Sequence, residues 1–260
     1  MTLRLTGVPL AGAVDAPVLL VGPSLGTSAT TLWGAAATLL HEHHRVVGWE
    51  LPGHGHGTPV GEPFSMADLA SGVLALADEL SPDRPVGYAG DSVGGCVGLQ
   101  LALDAPHRLA SLTVLCSGAV VGTPESWHER AATVRASGTG AVVAGSAQRW
   151  FAPGFLEREP AVGSALLHAL QDADASSYAR VCEALAAFDV TDRLDEIAVP
   201  VLAVAGRLDQ PTPPESLAAV ADGVQQGRFE VLEDVAHLAP AEAPVEVARL
   251  LTDHAGGHRP

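Results

Sequence analysis

Residues 85–103 read PVGYAGDSVGGCVGLQLAL, and this stretch decides the fold. Residues 86–89 are mostly apolar, as in a short buried strand. The pentapeptide Gly-Asp-Ser-Val-Gly follows at 90–94, and the Leu- and Val-rich run after it is long enough to form a helix. The pattern predicts a strand, a sharp turn and a helix.

Ser92 lies at the centre of the predicted turn, where the backbone must adopt strained angles. Side chains two positions before and after Ser92 would collide, and Gly90 and Gly94 remove them. The amide of Val93 would then lie at a helix N-terminus, where negative charge is stabilised. Gly-x-Ser-x-Gly also arises by chance in a chain with 28 glycines. The flanking strand and helix are what favour a nucleophilic serine over a structural turn.

Composition limits the fold and the partners. With 260 residues, 47% of them apolar, the chain can form one large domain or a domain with an insertion. A net charge of −16 argues against nucleic acid or an anionic membrane as partner, and an anionic substrate would need locally placed arginines. The three cysteines lack paired spacing, which indicates buried free thiols. Without a long apolar segment, we expect a soluble cytoplasmic protein.

Apolar strand-like runs alternate with helical segments on both sides of the opening stretch. This rhythm predicts an α/β fold with a mostly parallel sheet of about eight strands and helices on both faces. From 119 to 190 the alternation stops, and the sequence indicates an inserted helical cap between core segments 1–118 and 191–260. The predicted strands are a short edge strand at 3–5 and runs at 18–21, 46–49, 86–89, 112–116, 199–205 and 229–232.

A serine hydroxyl is a poor nucleophile unless a base accepts its proton and a carboxylate orients that base. Asp209 follows one predicted strand and His237 follows the last one. The order Ser92, Asp209, His237 is the one used by hydrolases of this topology, so we predict these three as the catalytic set. Asp234 is a competing acid, although its position three residues before His237 suits a loop-shaping role better.

A second amide is needed beside Val93 to bind an oxyanion. We predict Ser24, and less readily Leu25, in the Gly-rich loop after the strand at 18–21; the alternative is an ordinary turn. The run His-Glu-His-His at 41–44 resembles a metal site, but consecutive helical positions point in different directions. No metal is therefore predicted. His54 and His56 are interpreted as polar loop residues.

Four stretches of the chain resemble the α/β-hydrolase family and, within it, the 3-oxoadipate enol-lactonases. The resemblance covers nearly the whole chain, and the two cap stretches are its more specific part because caps vary with substrate. The four stretches are 24–27 (SLGT), 127–135 (WHERAATVR), 149–153 (RWFAP) and 236–238 (AHL).

The resemblance implies a serine hydrolase that opens a small carboxylate-bearing lactone, namely 3-oxoadipate enol-lactone to 3-oxoadipate, without a metal or organic cofactor. Arg130, Arg149 and Arg135 become candidates for binding the substrate carboxylate, with Trp150 as an apolar wall. For each arginine the alternative is a solvated position on the cap surface.

Three other functions fit the same sequence features. A carboxylesterase or another lactonase would share the triad and differ in the cap. A cofactor-free perhydrolase or haloperoxidase would use the triad with peroxide. A ligand-binding receptor of hydrolase fold would bind its ligand tightly and turn it over slowly. Activity on neutral esters, halide oxidation and ligand affinity distinguish these alternatives from the lactonase.

Overall fold

The computed structural model describes residues 3–256, and its centre is a twisted sheet. Within those residues the sheet has seven strands in the order β1-β3-β2-β4-β5-β6-β7, of which β1 runs antiparallel to β3 and all other pairs are parallel. The strands are β1 (Thr6–Ala11), β2 (Val18–Gly22), β3 (Arg45–Glu50), β4 (Val86–Asp91), β5 (Leu109–Leu115), β6 (Val201–Gly206) and β7 (Gly227–Leu232).

The mostly parallel α/β sheet confirms the predicted fold class, with two differences at its edge. The described residues contain seven strands rather than about eight. The first strand begins at Thr6 and pairs with Glu50, so residues 3–5 precede the sheet. The backbone at Leu3 and the side chain of Leu5 instead pass close to Gly72 on the neighbouring helix. Apolar contact with that helix, rather than strand pairing, explains their hydrophobic character.

Helices cover both faces of the sheet. Every residue of β2 and β6 is buried, which requires cover on both sides. The helices within residues 3–256 are α1 (Ala29–Leu40), α2 (Met66–Leu80), α3 (Val93–Asp104), α4 (Pro124–Ser137), α5 (Val143–Trp150), α6 (Phe155–Arg158), α7 (Pro160–Asp172), α8 (Ala175–Ala186), α9 (Pro214–Gly223), α10 (Ala239–Glu242) and α11 (Pro244–Gly256). Among them, α1 packs against α11 and α2 packs against α3.

Helices α4 to α8 all lie between β5 and β6, in the segment for which the sequence predicts a cap. The two ends of this segment meet: Val120 forms an isolated antiparallel bridge with Asp189, and the Val190 amide donates to the Ala119 carbonyl at 3.0 Å. The segment is also joined to the loop after β3, because the Asp174 amide donates to the Gly53 carbonyl at 2.8 Å.

Cys96, Cys116 and Cys182 are buried free thiols, as the sequence predicts. Within residues 3–256, no helix has the length and hydrophobicity needed to cross a bilayer. In the same range, no three His, Cys, Asp or Glu side chains are grouped so that they could hold a metal ion.

Candidate active site

The turn between β4 and α3 has the predicted geometry. Ser92 adopts φ 54° and ψ −118°, a conformation that side-chain-bearing residues rarely occupy. A Cβ at position 90 would overlap the backbone of Gly94, and one at position 94 would lie 2.7 Å from the carbonyl carbon of Gly22. The Ser92 amide donates to the Leu115 carbonyl at 2.9 Å, which anchors the turn to β5.

The structure brings the three predicted catalytic side chains together. Nε2 of His237 lies 3.0 Å from Oγ of Ser92, and Nδ1 of His237 lies 2.9 Å from Oδ2 of Asp209. All three residues are buried. Thr212 holds the carboxylate through its hydroxyl, 2.7 Å from Oδ2, and its amide, 3.0 Å from Oδ1. The result is a continuous chain of hydrogen bonds from Asp209 to Ser92.

Asp234 lies away from this chain of hydrogen bonds. Asp234 is exposed in the turn after β7. The two ring nitrogens of His237 are taken by other partners, Nδ1 by Asp209 and Nε2 by Ser92. His54 is buried and stacks on Tyr178 with ring centroids 5.8 Å apart, and burial lowers its pKa to about 4. His54 therefore belongs to the packing beneath α8, and His56 is exposed.

Two buried aromatic residues support the turn from below. The hydroxyl of Tyr88 donates to the Gly94 carbonyl at 2.8 Å and accepts from Nε1 of Trp49 at 3.2 Å. Burial raises the pKa of Tyr88, which keeps its hydroxyl protonated and able to donate. The first turn of α3 is therefore held in place by side chains of the sheet.

The candidate oxyanion donors come from two different loops. Val93 is the first residue of α3, so its amide has no carbonyl one turn earlier within the helix. Ser24 and Leu25 line the same cavity as Ser92. The Ser24 amide lies 3.2 Å from Oγ1 of Thr27, whose hydroxyl donates to the Ser24 carbonyl at 2.9 Å. An oxyanion at Ser24 would compete with this long bond, so Leu25 stays a candidate beside it.

A cavity of about 480 Å³ lies between Ser92 and the helices of the 119–190 segment. Arg130, Arg149 and Trp150, which the resemblance singles out, all line it. Trp127 and Glu129 from α4 also line it. Three of the four predicted substrate-contacting residues therefore lie around the candidate nucleophile.

Arg130, one of the two cavity arginines, is held by neutral groups. Nε of Arg130 donates to the Tyr178 hydroxyl at 2.8 Å and one of its terminal nitrogens to the Ser146 hydroxyl at 2.9 Å. Burial and the nearby Arg130 guanidinium lower the pKa of Arg149. Across the described residues neither arginine forms an ion pair. The cavity therefore carries two guanidinium groups without an ion-pair partner, and its one lining acid among the described residues is the exposed Glu129.

Arg135 is not part of this cavity. It pairs with Glu183 at 2.7 Å, and 40% of its side chain is exposed. It follows Arg130 by five positions on α4, a rotation of about 140° around the helix axis, so the two side chains leave the helix on different sides. The structure therefore places Arg135 outside the cavity, in an ion pair between α4 and α8, and does not bring it together with the other predicted substrate-binding residues.

Two acids near the triad, one buried and one half-buried, were not singled out by the sequence pattern. Asp91 is fully buried beside Ser92, and no side chain within residues 3–256 forms a hydrogen bond with its carboxylate. Burial, followed by the charges of Asp209 and Glu242, raises the pKa of Asp91 well above its usual value, and the backbone amide of Ala239 only partly opposes this increase. Glu242 accepts hydrogen bonds from backbone amides around His237. The one feature of the sequence that points to Glu242 is its position five residues after His237.

Comparison with known proteins agrees with the fold. Residues 17–244 match the family model of the alpha/beta hydrolase fold. The chain is 34% identical to 3-oxoadipate enol-lactonase 2 of Acinetobacter baylyi, over 90% of this chain and 86% of the relative.

Two solved structures are similar along nearly their whole length. The enol-lactonase from Burkholderia xenovorans LB400 superposes with a TM-score of 0.91 at 28% identity, covering 97% of this chain and 96% of that one. A thermophilic esterase from Thermogutta terrifontis, solved with malate bound, has a TM-score of 0.88 at 26% identity and covers 96% and 92%. These similarities confirm the resemblance to enol-lactonases found in the sequence. The chain belongs to the α/β-hydrolase family and is an enzyme that hydrolyses ester or lactone bonds.

Proposed function

We propose that this enzyme opens a small lactone that carries a free carboxylate, with 3-oxoadipate enol-lactone as the favoured substrate. One observation carries the proposal: a single cavity holds the Ser92–His237 pair, 3.0 Å apart, and two arginines that form no ion pair within the described residues. A neutral ester would leave that positive charge uncompensated in a partly buried site, whereas a carboxylate would neutralise it. The name of the Acinetobacter baylyi relative supports the same substrate.

In the proposed reaction His237, oriented by Asp209, accepts the Ser92 proton as Oγ attacks the lactone carbonyl. The oxyanion accepts hydrogen bonds from the amides of Val93 and of Ser24 or Leu25, and each such donor stabilises the transition state by about 3 kcal/mol. The ring C–O bond then breaks, and the enol oxygen that leaves receives the proton from His237. The enol tautomerises to a ketone while the acyl group remains on Ser92.

Water completes the cycle. His237 takes a proton from a water molecule that attacks the acyl-enzyme, and then returns that proton to Oγ of Ser92. Every proton moves between Ser92, His237, substrate and water. The proposed chemistry therefore requires no metal or organic cofactor.

The walls of the cavity fit a small acid. Arg130 and Arg149 provide donors for a carboxylate, and Trp150 provides an apolar surface for the carbon skeleton. The related Thermogutta terrifontis esterase was solved with malate, which is itself a small carboxylate. These points support an anionic substrate of a few carbon atoms.

An assay on 3-oxoadipate enol-lactone generated in situ tests the proposal, with Ser92→Ala as the control. We expect rapid turnover by the wild type and a loss of more than about 10³-fold in the variant. A wild type that cleaves p-nitrophenyl acetate but ignores the lactone would contradict the substrate and favour a carboxylesterase. That second candidate is supported by the similarity to the esterase. A wild type that shows neither activity would contradict both.

A further inference from the structure

Glu242 joins residues 236–238, the loop that carries His237, to the 119–190 segment. Its Oε2 accepts from the Ala152 amide at 2.7 Å, and its Oε1 accepts from the Ala236 amide at 3.1 Å and the Leu238 amide at 3.3 Å. Ala236 and Leu238 are the residues on either side of His237. One carboxylate therefore holds both neighbours of the candidate base and one residue of the distant segment.

The backbone of His237 makes the same connection directly. Its amide donates to the carbonyl of Trp150 at 3.1 Å. Residues 236–238 lie between β7 and α10 and belong to neither element. The carbonyls of these residues are also bonded: that of Ala236 accepts from the Cys116 thiol, and that of Leu238 accepts from the amides of Ala241 and Glu242. The three amides of residues 236–238, however, donate only to Glu242 and Trp150 within the described part of the chain, so these two partners help to set the position of the imidazole.

The chemical need is for a carboxylate rather than any polar group. Three amide donors converge on its two oxygens, and an ionised carboxylate accepts without donating. A glutamine side chain would turn its NH₂ group toward at least one of these amide donors in either orientation. Burial raises the pKa of Glu242, and the amides of Ala152, Leu238 and Ala236 together with His237 oppose that increase. The three amides therefore stabilise the Glu242 carboxylate as a hydrogen-bond acceptor in a partly desolvated position.

We propose that Glu242 is a positioning residue for His237. By fixing Ala236 and Leu238 against Ala152, it keeps Nε2 of His237 within hydrogen-bond distance of Ser92 and holds Trp150 beside the same cavity. This inference rests on the proposed serine-hydrolase function. A purely structural role for Glu242 would instead lower stability and leave turnover per folded molecule unchanged.

Glu242→Gln is the main test, with Glu246→Gln as a matched control because Glu246 is an exposed acid at the start of α11. A misplaced catalytic group of this kind costs up to about 100-fold in rate. We expect Glu242→Gln to lower kcat by about 10- to 100-fold with KM changed less than about threefold. Glu246→Gln should match the wild type.

A second readout follows the histidine itself. The imidazole proton shared between His237 and Asp209 gives a downfield proton NMR resonance, which should shift or broaden in Glu242→Gln. Labelling of Ser92 by a fluorophosphonate should slow in parallel with kcat, because it depends on the same base. Both measurements are made on protein whose folded fraction is verified by near-UV circular dichroism.

Ala152→Pro provides an independent variant if Glu242→Gln does not fold. Of the three amides that donate to Glu242, this substitution removes the one that belongs to the 119–190 segment. The preceding residue, Phe151, has an extended backbone with φ −113° and ψ 139°, the conformation that residues before proline favour. Slower fluorophosphonate labelling of folded Ala152→Pro supports the inference. Labelling at the wild-type rate in that variant overturns it.

The outcomes separate this inference from the proposed function. Unchanged kcat and an unchanged downfield resonance in folded Glu242→Gln would overturn the positioning role. Wild-type protein that labels with fluorophosphonate but ignores the lactone would contradict the substrate alone, and the labelling rates would still decide the role of Glu242. Wild-type protein that does not label at Ser92 would overturn the serine-hydrolase chemistry and the inference with it.

Discussion

The amide of Gly94 donates to the carbonyl of Pro23 at 2.9 Å. This bond joins the first turn of α3, which carries Val93, to the loop that carries Ser24 and Leu25. The two candidate oxyanion donors come from segments almost 70 residues apart, and this contact holds them in a fixed relation before substrate arrives. Donors fixed in advance need no reorganisation when charge develops on the carbonyl oxygen.

Thr27 shapes the second half of this arrangement. Its buried hydroxyl bonds both the amide and the carbonyl of Ser24. We expect Thr27→Val to lower kcat/KM by about tenfold, less than the loss of a whole oxyanion donor, because the loop is misaligned rather than removed. Thr27→Ser keeps the hydroxyl and should stay near the wild type. Steady-state kinetics on p-nitrophenyl acetate would check this, and an equal or higher kcat/KM in Thr27→Val would show that the Thr27 hydroxyl is unnecessary.

Arg149 should matter only for charged substrates. Arg149→Met removes a cavity guanidinium while keeping much of the apolar stem, so we expect KM for the anionic lactone to rise at least tenfold, the effect of losing a hydrogen bond worth about 1.5–3 kcal/mol to a charged group. KM for neutral p-nitrophenyl acetate should change little. Arg135→Met is the matched control, since Arg135 lies outside the cavity. Equal losses on both substrates would argue against carboxylate binding by Arg149.

Tyr88 contributes to stability through the turn it supports. Tyr88→Phe leaves the Gly94 carbonyl and the indole N–H of Trp49 without their buried partner. We expect the free energy of unfolding to fall by about 1–3 kcal/mol, the usual cost of leaving buried polar groups unpaired. Urea denaturation should show a lower midpoint with the same m-value. A variant as stable as the wild type would mean that other groups or water satisfy both atoms.

Asp91 gives a prediction about pH. Its pKa is raised in the folded protein, so the folded state binds its proton more tightly than the unfolded chain does. The stability this provides is fully present below the unfolded pKa and is lost as pH rises toward the folded pKa. We expect the wild type to lose stability relative to Asp91→Asn as pH rises above about 4, by at most about 1.4 kcal/mol per pH unit.

The measurement for Asp91 is the difference between the melting temperatures of the two proteins across a pH series. Taking the difference cancels the contribution of the exposed acids, which titrate in the same way in both proteins. A difference that does not vary with pH would show that Asp91 titrates in the folded protein as it does in the unfolded chain.

The triad was predictable because each member follows a strand in sequence. Parallel strands bring their carboxyl ends to one edge of the sheet, so Ser92, Asp209 and His237 had to meet there once the strands were recognised. The turn between β4 and α3 was predictable from local sequence, because Gly90 and Gly94 flank Ser92 at fixed positions. Local pattern and chain order were sufficient for both.

The remaining site residues depend on information that the sequence does not display. Whether Arg130 or Arg135 faces the cavity depends on how α4 is rotated, and neighbouring stretches of the helix contain charged residues on both sides. Glu242 binds backbone amides, which every residue type except proline possesses, so its partners have no sequence signature. Asp91 was visible, but its full burial became evident only from the surrounding packing.

The bridge between Val120 and Asp189 has a practical consequence for protein engineering. Because the segment between them leaves the sheet and returns at neighbouring points, it can be transplanted without rerouting a strand. A donor segment from another hydrolase would need to reproduce the attachments to the core, among them the bonds to Gly53, Val60, Gly61, the His237 amide and the Glu242 carboxylate. A chimaera that keeps these attachments should inherit the substrate range of its donor while retaining the host's catalytic groups.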